Sequence, residues 1–355
     1  MSSFLIERLS SLEEYVPGEQ PRDKKYIKLN TNESPYPPSP SVIAAVNAEE
    51  AADLRLYSDP TSKGLKTALA DLYGVKEENV FVSNGSDEVL SFFFMAFCAD
   101  VVPVWCPEIS YGFYPVFAQL YGTPYNAVPM EKDWSIDYRK FLAVDGNVII
   151  ANPNAPTGLT LSLWEIEELL KSNPTHLVCI DEAYVDFGAE SALPLLKKYP
   201  NLLVVRTYSK SRSMAGARLG YAFGSPEVIA DLEKIKYSTN PYNINRLTQK
   251  AGAAAITEQS YYDECCARII RDREFTSAEL KKLGFEMTDS KSNFLFVRHP
   301  EIDGGALYTK LRERGILVRH FSLKAVSDYL RITIGAHEEC EALVVALKEI
   351  LGELK

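Results

Sequence analysis

The sequence predicts an α/β protein: a large three-layer α/β/α domain around a mainly parallel sheet, joined to a smaller α+β domain. Three observations carry this. From about residue 41, short runs rich in Val, Leu and Ile alternate with helical patterns, and strands apolar on both faces belong to parallel sheets covered by helices. After about residue 240 the texture changes to a long helical stretch followed by shorter segments. The length, 355 residues, suits roughly two domains at about 150 residues each. The expected division is an N-terminal arm at 1–40 that goes with the small domain, a large domain at 41–255 and a small C-terminal domain at 256–355.

Residues 1–40 are rich in Pro, Ser and Asn, with Ser34, Pro35, Pro37, Pro38 and Pro40 close together, and read as an irregular arm. A helix is expected over 42–50 and a second over 64–73, ended by Gly74. Residues 80–83 read as a strand, 87–98 as an apolar helix, 101–105 as a strand, and 113–121 as a helix ended by Gly122. A strand at 148–151 precedes a helix over 163–171, with Ser162 as its N-cap and Glu165 at the capping-box position. Strands follow at 177–180 and 202–206, and 219–223, after a short loop, leaves room for an antiparallel one. Beyond 240, residues 243–283 are helical, 293–297, 316–319 and 330–334 are short apolar segments, and 306–314 and 337–351 are helices.

Bulk numbers exclude several function classes. A net charge of −10 argues against nucleic acid or an anionic membrane, since either needs clustered positive charge. Residues 1–12 lack the basic-then-apolar pattern of a signal peptide, and no apolar run approaches the ~18 residues of a membrane span. Six cysteines occur without a C-x-x-C spacing, and Cys265 and Cys266 are adjacent, so reduced thiols in a cytoplasmic protein are favoured over a zinc or disulfide framework. Four histidines form no H-x-x-x-H pair, and no metal site is expected.

In open α/β sheets ligands sit at the carboxyl ends of the strands, so the residues just beyond each strand are the place to look for chemistry. After strand 80–83 comes Ser83-Asn84-Gly85-Ser86-Asp87-Glu88, a tight turn into a helix whose free N–H groups make an anion cradle. Alone this is an ordinary strand-to-helix turn. After strand 177–180 comes Asp181-Glu182-Ala183-Tyr184. An Asp ending an apolar strand is costly unless paired. It either bonds backbone and caps a helix or faces a cationic ring nitrogen. After strand 202–206 comes Thr207-Tyr208-Ser209-Lys210, and Arg218 follows eight residues on. A lysine close behind a buried strand is uncommon, and one taken out of water becomes a nucleophile for an aldehyde. Ser209 and Arg218 suit a phosphate, and the Ala-Gly-Ala between the basic residues counts against a merely solvated basic loop. After strand 148–151 comes Asn152-Pro153-Asn154-Ala155-Pro156-Thr157-Gly158, by itself only a turn.

Taken together and in this order, N-P-N-A-P-T-G, D-E-A-Y and S-K-x(7)-R resemble the fold-type I pyridoxal-phosphate (PLP)-dependent aminotransferases over nearly the whole chain. Further motifs resemble the histidinol-phosphate aminotransferase branch: L-N-T-N-E-S-P from Leu29, Y-S-D-P from Tyr57, the aromatic turn Tyr111-Gly112-Phe113-Tyr114, and Y-L-R-I-T-I-G from Tyr329. The resemblance implies that Lys210 carries the cofactor as a Schiff base and then serves as acid and base. It implies that Asp181 pairs with the pyridine nitrogen, Tyr184 bonds the phenolic oxygen, and Tyr111 stacks on the ring. Gly85, Ser86, Asp87, Ser209 and Arg218 would hold the phosphate, with Tyr57 reaching it from the neighbouring subunit of a homodimer. Where much of the family has Asn before Pro-Thr-Gly this chain has Ala155, and Asn154 is the expected substitute. Arg331, Arg319, Tyr15 and Asn32 are the expected substrate contacts. The implied reaction moves an amino group from L-glutamate to imidazole acetol phosphate, a phosphorylated imidazole compound. The alternatives are an aromatic amino-acid aminotransferase and an amino-acid-phosphate decarboxylase of the same fold. A dinucleotide-binding dehydrogenase is disfavoured, since no G-x-G-x-x-G follows an early strand.

Overall fold

Alternation along the central strands sorts the core into two layers and decides which side chains reach the site. The computed structural model describes residues 5, 6 and 9–353; the beginning of the expected arm, with part of the stretch read for a signal peptide, lies outside them. In chain order the first half contains β1 (Ile27–Leu29), α1 (Pro40–Ala45), α2 (Ala48–Ala52), α3 (Lys63–Tyr73), β2 (Val80–Ser83), α4 (Ser86–Phe93), β3 (Val104–Pro107), α5 (Phe113–Tyr121), β4 (Tyr125–Val128), β5 (Asn147–Ala151) and α6 (Leu163–Ser172). There follow β6 (Val178–Asp181), β7 (Leu202–Thr207), β8 (Gly220–Phe223), α7 (Pro226–Thr239), α8 (Arg246–Ile256) and α9 (Gln259–Lys282). The C-terminal part adds β9 (Glu286–Met287), β10 (Phe294–Arg298), α10 (Gly304–Glu313), β11 (Ile316–His320), β12 (Leu330–Thr333) and α11 (His337–Glu353).

The large sheet runs β2-β8-β7-β6-β5-β3-β4, and β8 is antiparallel to both its neighbours while the other contacts are parallel. Val148, Ile150, Val178, Ile180, Leu202 and Val204 pack into one core layer, while Ile149, Cys179, Leu203 and Val205 face the other. This is the period-2 consequence of a strand buried on both faces. The second sheet runs β1-β11-β12-β10-β9. Its own core joins Leu29, Phe294, Leu330 and Ile332 to α9, α10 and α11, and also takes in Ala155 and Tyr184 from the large-sheet loops.

Several boundaries differ from the sequence expectation, each for a local reason. The helix expected over 42–50 is two short helices, because the Asn47 side chain accepts from Glu50 N–H and starts a new one. The arm is not wholly irregular: β1 pairs in parallel with β11. The strand expected from 101 begins at Val104, since the Val101 and Val102 N–H groups turn back onto Cys98. The 87–98 helix changes to a π turn at Phe94–Cys98. The 243–283 stretch is two helices broken at 257–258, with Asn245 capping the first. No element was expected over 226–239, yet α7 forms there, started by the Ser225 cap and Pro226. Strands β4 and β9 were likewise not anticipated. Ser162 and Glu165 form the expected capping box, and Gly74 and Gly122 end their helices in the left-handed region.

The turn after β2 is pressed against β8. A Cβ on Gly220 would stand 2.3 Å from the Ser86 backbone nitrogen and 2.4 Å from the Gly85 carbonyl carbon. Neither is a mobile side-chain end, so something in the backbone must shift. Gly220→Ala is therefore expected to lower stability by about 1–3 kcal/mol, the usual range for an overpacked core. Thermal unfolding of the variant against the parent measures this directly.

Candidate active site

β6 ends on Asp181, and the alternation carries this residue to the face of Cys179 while Glu182 goes to the opposite face. Glu182 meets the Arg206 guanidinium at 2.8 Å and also accepts from Ser191 Oγ and Ala192 N–H. Asp181 has no such cation among the described residues. Tyr114 Oη donates to its Oδ2 at 3.0 Å, and Ala183 N–H donates to its Oδ1 at 3.1 Å. Burial pushes the Asp181 carboxyl up to about 6, with these two hydrogen bonds opposing the rise. Burial, then the Asp181 charge, drives the Tyr114 phenol well above its ordinary value, so it remains a donor.

Asp181 lines a cavity of about 440 Å³ at the carboxyl ends of β5, β6 and β7. Lys210, three residues past β7, also lines it. Its Nζ donates to the Thr31 carbonyl at 3.2 Å and lies 5.7 Å from the centre of the Tyr184 ring. At another wall stand Ser86, Asp87, Ser209 and Arg218. No side chain caps α4, so the N–H groups of Ser86 and Asp87 and the helix dipole are open to an anion, while the Glu88 N–H turns back to the Gly85 carbonyl. Gly85 (φ +77°) makes that turn, and a Cβ there would strike Arg218 Nη2 at 2.6 Å. The Arg218 guanidinium binds Asp87 Oδ2 at 3.0 Å, and Asp87 Oδ1 accepts from Tyr111 Oη at 2.8 Å. The cavity thus joins an anion cradle, a lysine amine and a buried carboxylate lacking its cation.

A second cavity of about 380 Å³ opens beside it, with Tyr111 and Ala155 lining both. Tyr15, Arg319 and Arg331 line this outer one. β11 and β12 pair with Arg319 directly opposite Arg331. Two like charges opposite each other on one face repel. They are held by backbone carbonyls: Arg319 donates to Val16 and Pro17, and Arg331 to Asn30. Arg331 Nε is buried without a partner among the described residues, and desolvation, then Arg319, depresses its pKa. An anion is the missing complement. Tyr15 stacks on Phe113 at 4.2 Å and lies 6.3 Å from Tyr111.

Asn154, Asn32 and Tyr57 line neither cavity, and Tyr57 was expected at the neighbouring subunit's site. The Asn154 amide hydrogens go to the Ile109 carbonyl and Thr157 Oγ1, and its oxygen takes the Ser110 hydroxyl, so it builds the turn and has no donor to spare for a ligand. Asn32 has its amide on Tyr184 Oη at 2.9 Å. Tyr57 is 79% exposed and stacks on Tyr242 at 4.4 Å, away from this protomer's cavities. Sequence reasoning missed the Tyr114 bond to Asp181, though Tyr114 sits in the aromatic turn already singled out. It also missed the Thr31 carbonyl on Lys210, and a main-chain acceptor leaves no side-chain signal.

Comparison with known proteins identifies the family. The aminotransferase class I and II family matches residues 24–347. The chain is 49% identical over 352 residues to a histidinol-phosphate aminotransferase of Brachyspira hyodysenteriae, covering 99% of each. It is 50% identical over 350 residues to one from Chromohalobacter salexigens, again covering 99% of each. Among solved structures, histidinol-phosphate aminotransferase from Sinorhizobium meliloti in complex with pyridoxal-5′-phosphate aligns with a TM-score of 0.90 at 26% identity, covering 100% of this chain and 99% of that one.

The raised Asp181 carboxyl has a thermodynamic signature in the ligand-free protein. Its folded pKa of about 6 exceeds the ordinary 3.8, so the folded state binds more protons than the unfolded one between those values. Its contribution to stability is therefore fully present below about pH 4, is lost as pH rises to about 6, and amounts to on the order of 3 kcal/mol. Denaturant unfolding of the parent and Asp181→Asn at pH 5 and pH 7 checks this: relative to the variant, the parent is expected to weaken at the higher pH.

Proposed function

The chain belongs to the class I and II aminotransferases, and on that premise we propose a PLP enzyme that transfers the amino group of L-glutamate to imidazole acetol phosphate, giving L-histidinol phosphate and 2-oxoglutarate in histidine biosynthesis. The observation that carries the reading is the pairing of two neighbouring cavities. One is lined by Lys210 and by a carboxylate with no cation on it among the described residues, and the other by two opposed guanidiniums suited to an anion. The relatives named above, similar over the full length, act in the same sense by name.

The inner cavity fits the cofactor by its donor set: an uncapped helix start with Ser86, Ser209 and Arg218 for the phosphate, and buried Asp181 for a ring cation. When bound, PLP supplies an aldehyde carbon that condenses with amines and a pyridinium ring that takes up the electron pair left when a Cα–H bond breaks. Lys210 would hold the cofactor through Nζ, and its amine, when free, would serve as the acid and base that moves a proton to and from substrate Cα. Asp181 would keep a proton on the ring nitrogen, and that cation would in turn relieve the desolvation of its carboxylate. Tyr184 would donate to the ring's phenolic oxygen. Tyr111, held by Asp87, would cover the ring. Arg319 and Arg331, with Tyr15 beside them, take the glutamate carboxylate in one half-reaction and the phosphate in the other, since a guanidinium serves both oxyanions.

The division into an arm and small domain (1–40, 256–355) and a large domain (41–255) belongs to this reading. So does a homodimer in which the exposed Tyr57 completes the partner's phosphate site. Buried free cysteines support a cytoplasmic enzyme, and no helix among the described residues is long and apolar enough to cross a membrane.

The deciding measurement is the visible spectrum of the purified protein with PLP. A yellow band that bleaches with L-glutamate and with L-histidinol phosphate is expected. Bleaching with aromatic amino acids but not histidinol phosphate would move the substrate to the aromatic class. Carbon dioxide released from an amino-acid phosphate would replace transamination by decarboxylation. Lys210→Ala is expected to lose both the band and turnover. Arg331→Gln should lower kcat/KM for histidinol phosphate about 10–100-fold, the size of a lost hydrogen bond to a charged group.

A further inference from the structure

Asn32 is 1% exposed, stands at a φ of +56°, and ties the arm to both sheets. Its N–H donates to Thr333 Oγ1 at 3.0 Å, and the Thr333 hydroxyl gives its own proton back to Asn32 Oδ1 at 2.9 Å. Its carbonyl accepts from Asn293 Nδ2 at 3.1 Å. The reciprocal pair with Thr333 fixes which way the amide points: oxygen toward Thr333, nitrogen toward Tyr184. Nδ2 then donates to Tyr184 Oη at 2.9 Å, and Asn32 is that hydroxyl's only hydrogen-bond partner among the described residues. Tyr184 is thereby made an acceptor on its arm side. Its single proton is left for the inner cavity that it lines, where neighbouring Ala155 brings no donor.

We propose that Asn32 is a positioning residue for the reaction, which turns the Tyr184 hydroxyl into a one-way donor toward the cofactor's phenolic oxygen. The proposal rests on the reading that Tyr184 faces that oxygen. Donation by the amide polarises the Tyr184 O–H and strengthens its bond onward. The ionisable groups around the ring are Lys210, Arg331, Tyr15 and Tyr111, and none of them bonds the hydroxyl. Losing Asn32 therefore weakens the stabilisation of the phenolic oxygen's negative charge. The proton that the visible band reports is then held to higher pH.

The test is a pH titration of the visible band in the holoenzyme. Asn32→Ala is expected to raise the midpoint by about 0.5–1 pH unit, the scale of one net hydrogen bond. Tyr184→Phe should raise it at least as far, and the double variant no further than Tyr184→Phe alone, since Asn32 acts through Tyr184. Thr333→Val, which frees the amide to rotate, should move the midpoint the same way, while Thr333→Ser should titrate like the parent; this pair carries the test should Asn32→Ala not fold. An unmoved midpoint in Asn32→Ala with a shifted Tyr184→Phe, or additive shifts in the double variant, overturns the proposal. No visible band in the parent, or no shift in Tyr184→Phe, instead overturns the placement of Tyr184 on which the proposal stands.

Discussion

A carboxylate buried without a cation is the constraint around which this molecule is arranged. Two adjacent acids leave the end of β6, and the pleat sends them to opposite faces. Glu182 finds Arg206 and a set of hydrogen bonds. Asp181 finds only a phenol and a main-chain N–H. Desolvating an unpaired charge costs several kcal/mol, so the folded chain holds a standing preference for a cationic ligand at this point. Tyr114 limits that cost without removing it, because a neutral donor stabilises a carboxylate less than a full charge does.

The second sheet repeats the logic with the opposite sign. Register places Arg319 across from Arg331, and the carbonyls that hold them come from the arm. Carbonyl dipoles steady a guanidinium but leave its net charge in place. The molecule thus presents an unmatched negative group and an unmatched positive pair on either side of Tyr111 and Ala155, which wall both cavities. A ligand assembly that carries a cation at one end and an oxyanion at the other relieves both costs together.

Much of the scaffold was legible because its signal is local. Strands such as 178–181 and 202–207 are continuous apolar runs, and the residues that follow them need no tertiary knowledge to pick out. What escaped was set by partners distant in sequence. β1 sits in a Pro- and Asn-rich arm and is a strand only because β11 lies beside it. α7 buries just Val228, Ile229, Leu232 and Lys236, a stripe too thin to stand out among its charged residues. Asn154 occupied a motif position, but its hydrogen bonds to Ile109 and Thr157 could be counted only in three dimensions. Asn32 was expected at the substrate, while the partners it has in the fold, Tyr184, Asn293 and Thr333, lie 152 or more positions away.

The pairing of β1 with β11 also orders events in time. Ile27 meets Ile316, so the contact closes a loop of nearly the whole chain. Non-local pairings of this kind are slow to form, because the loop entropy is spent before the contact returns any stabilisation. During synthesis every strand of the seven-stranded sheet emerges before the residues that β1 needs. A growing chain can therefore carry Lys210 and Asp181 in place while Thr31 and Asn32 still lack their anchor, and Arg331 has yet to be made. The residues that the large sheet brings to the inner cavity are therefore made first, and the opposed guanidiniums of the outer one are complete only within the last tens of residues.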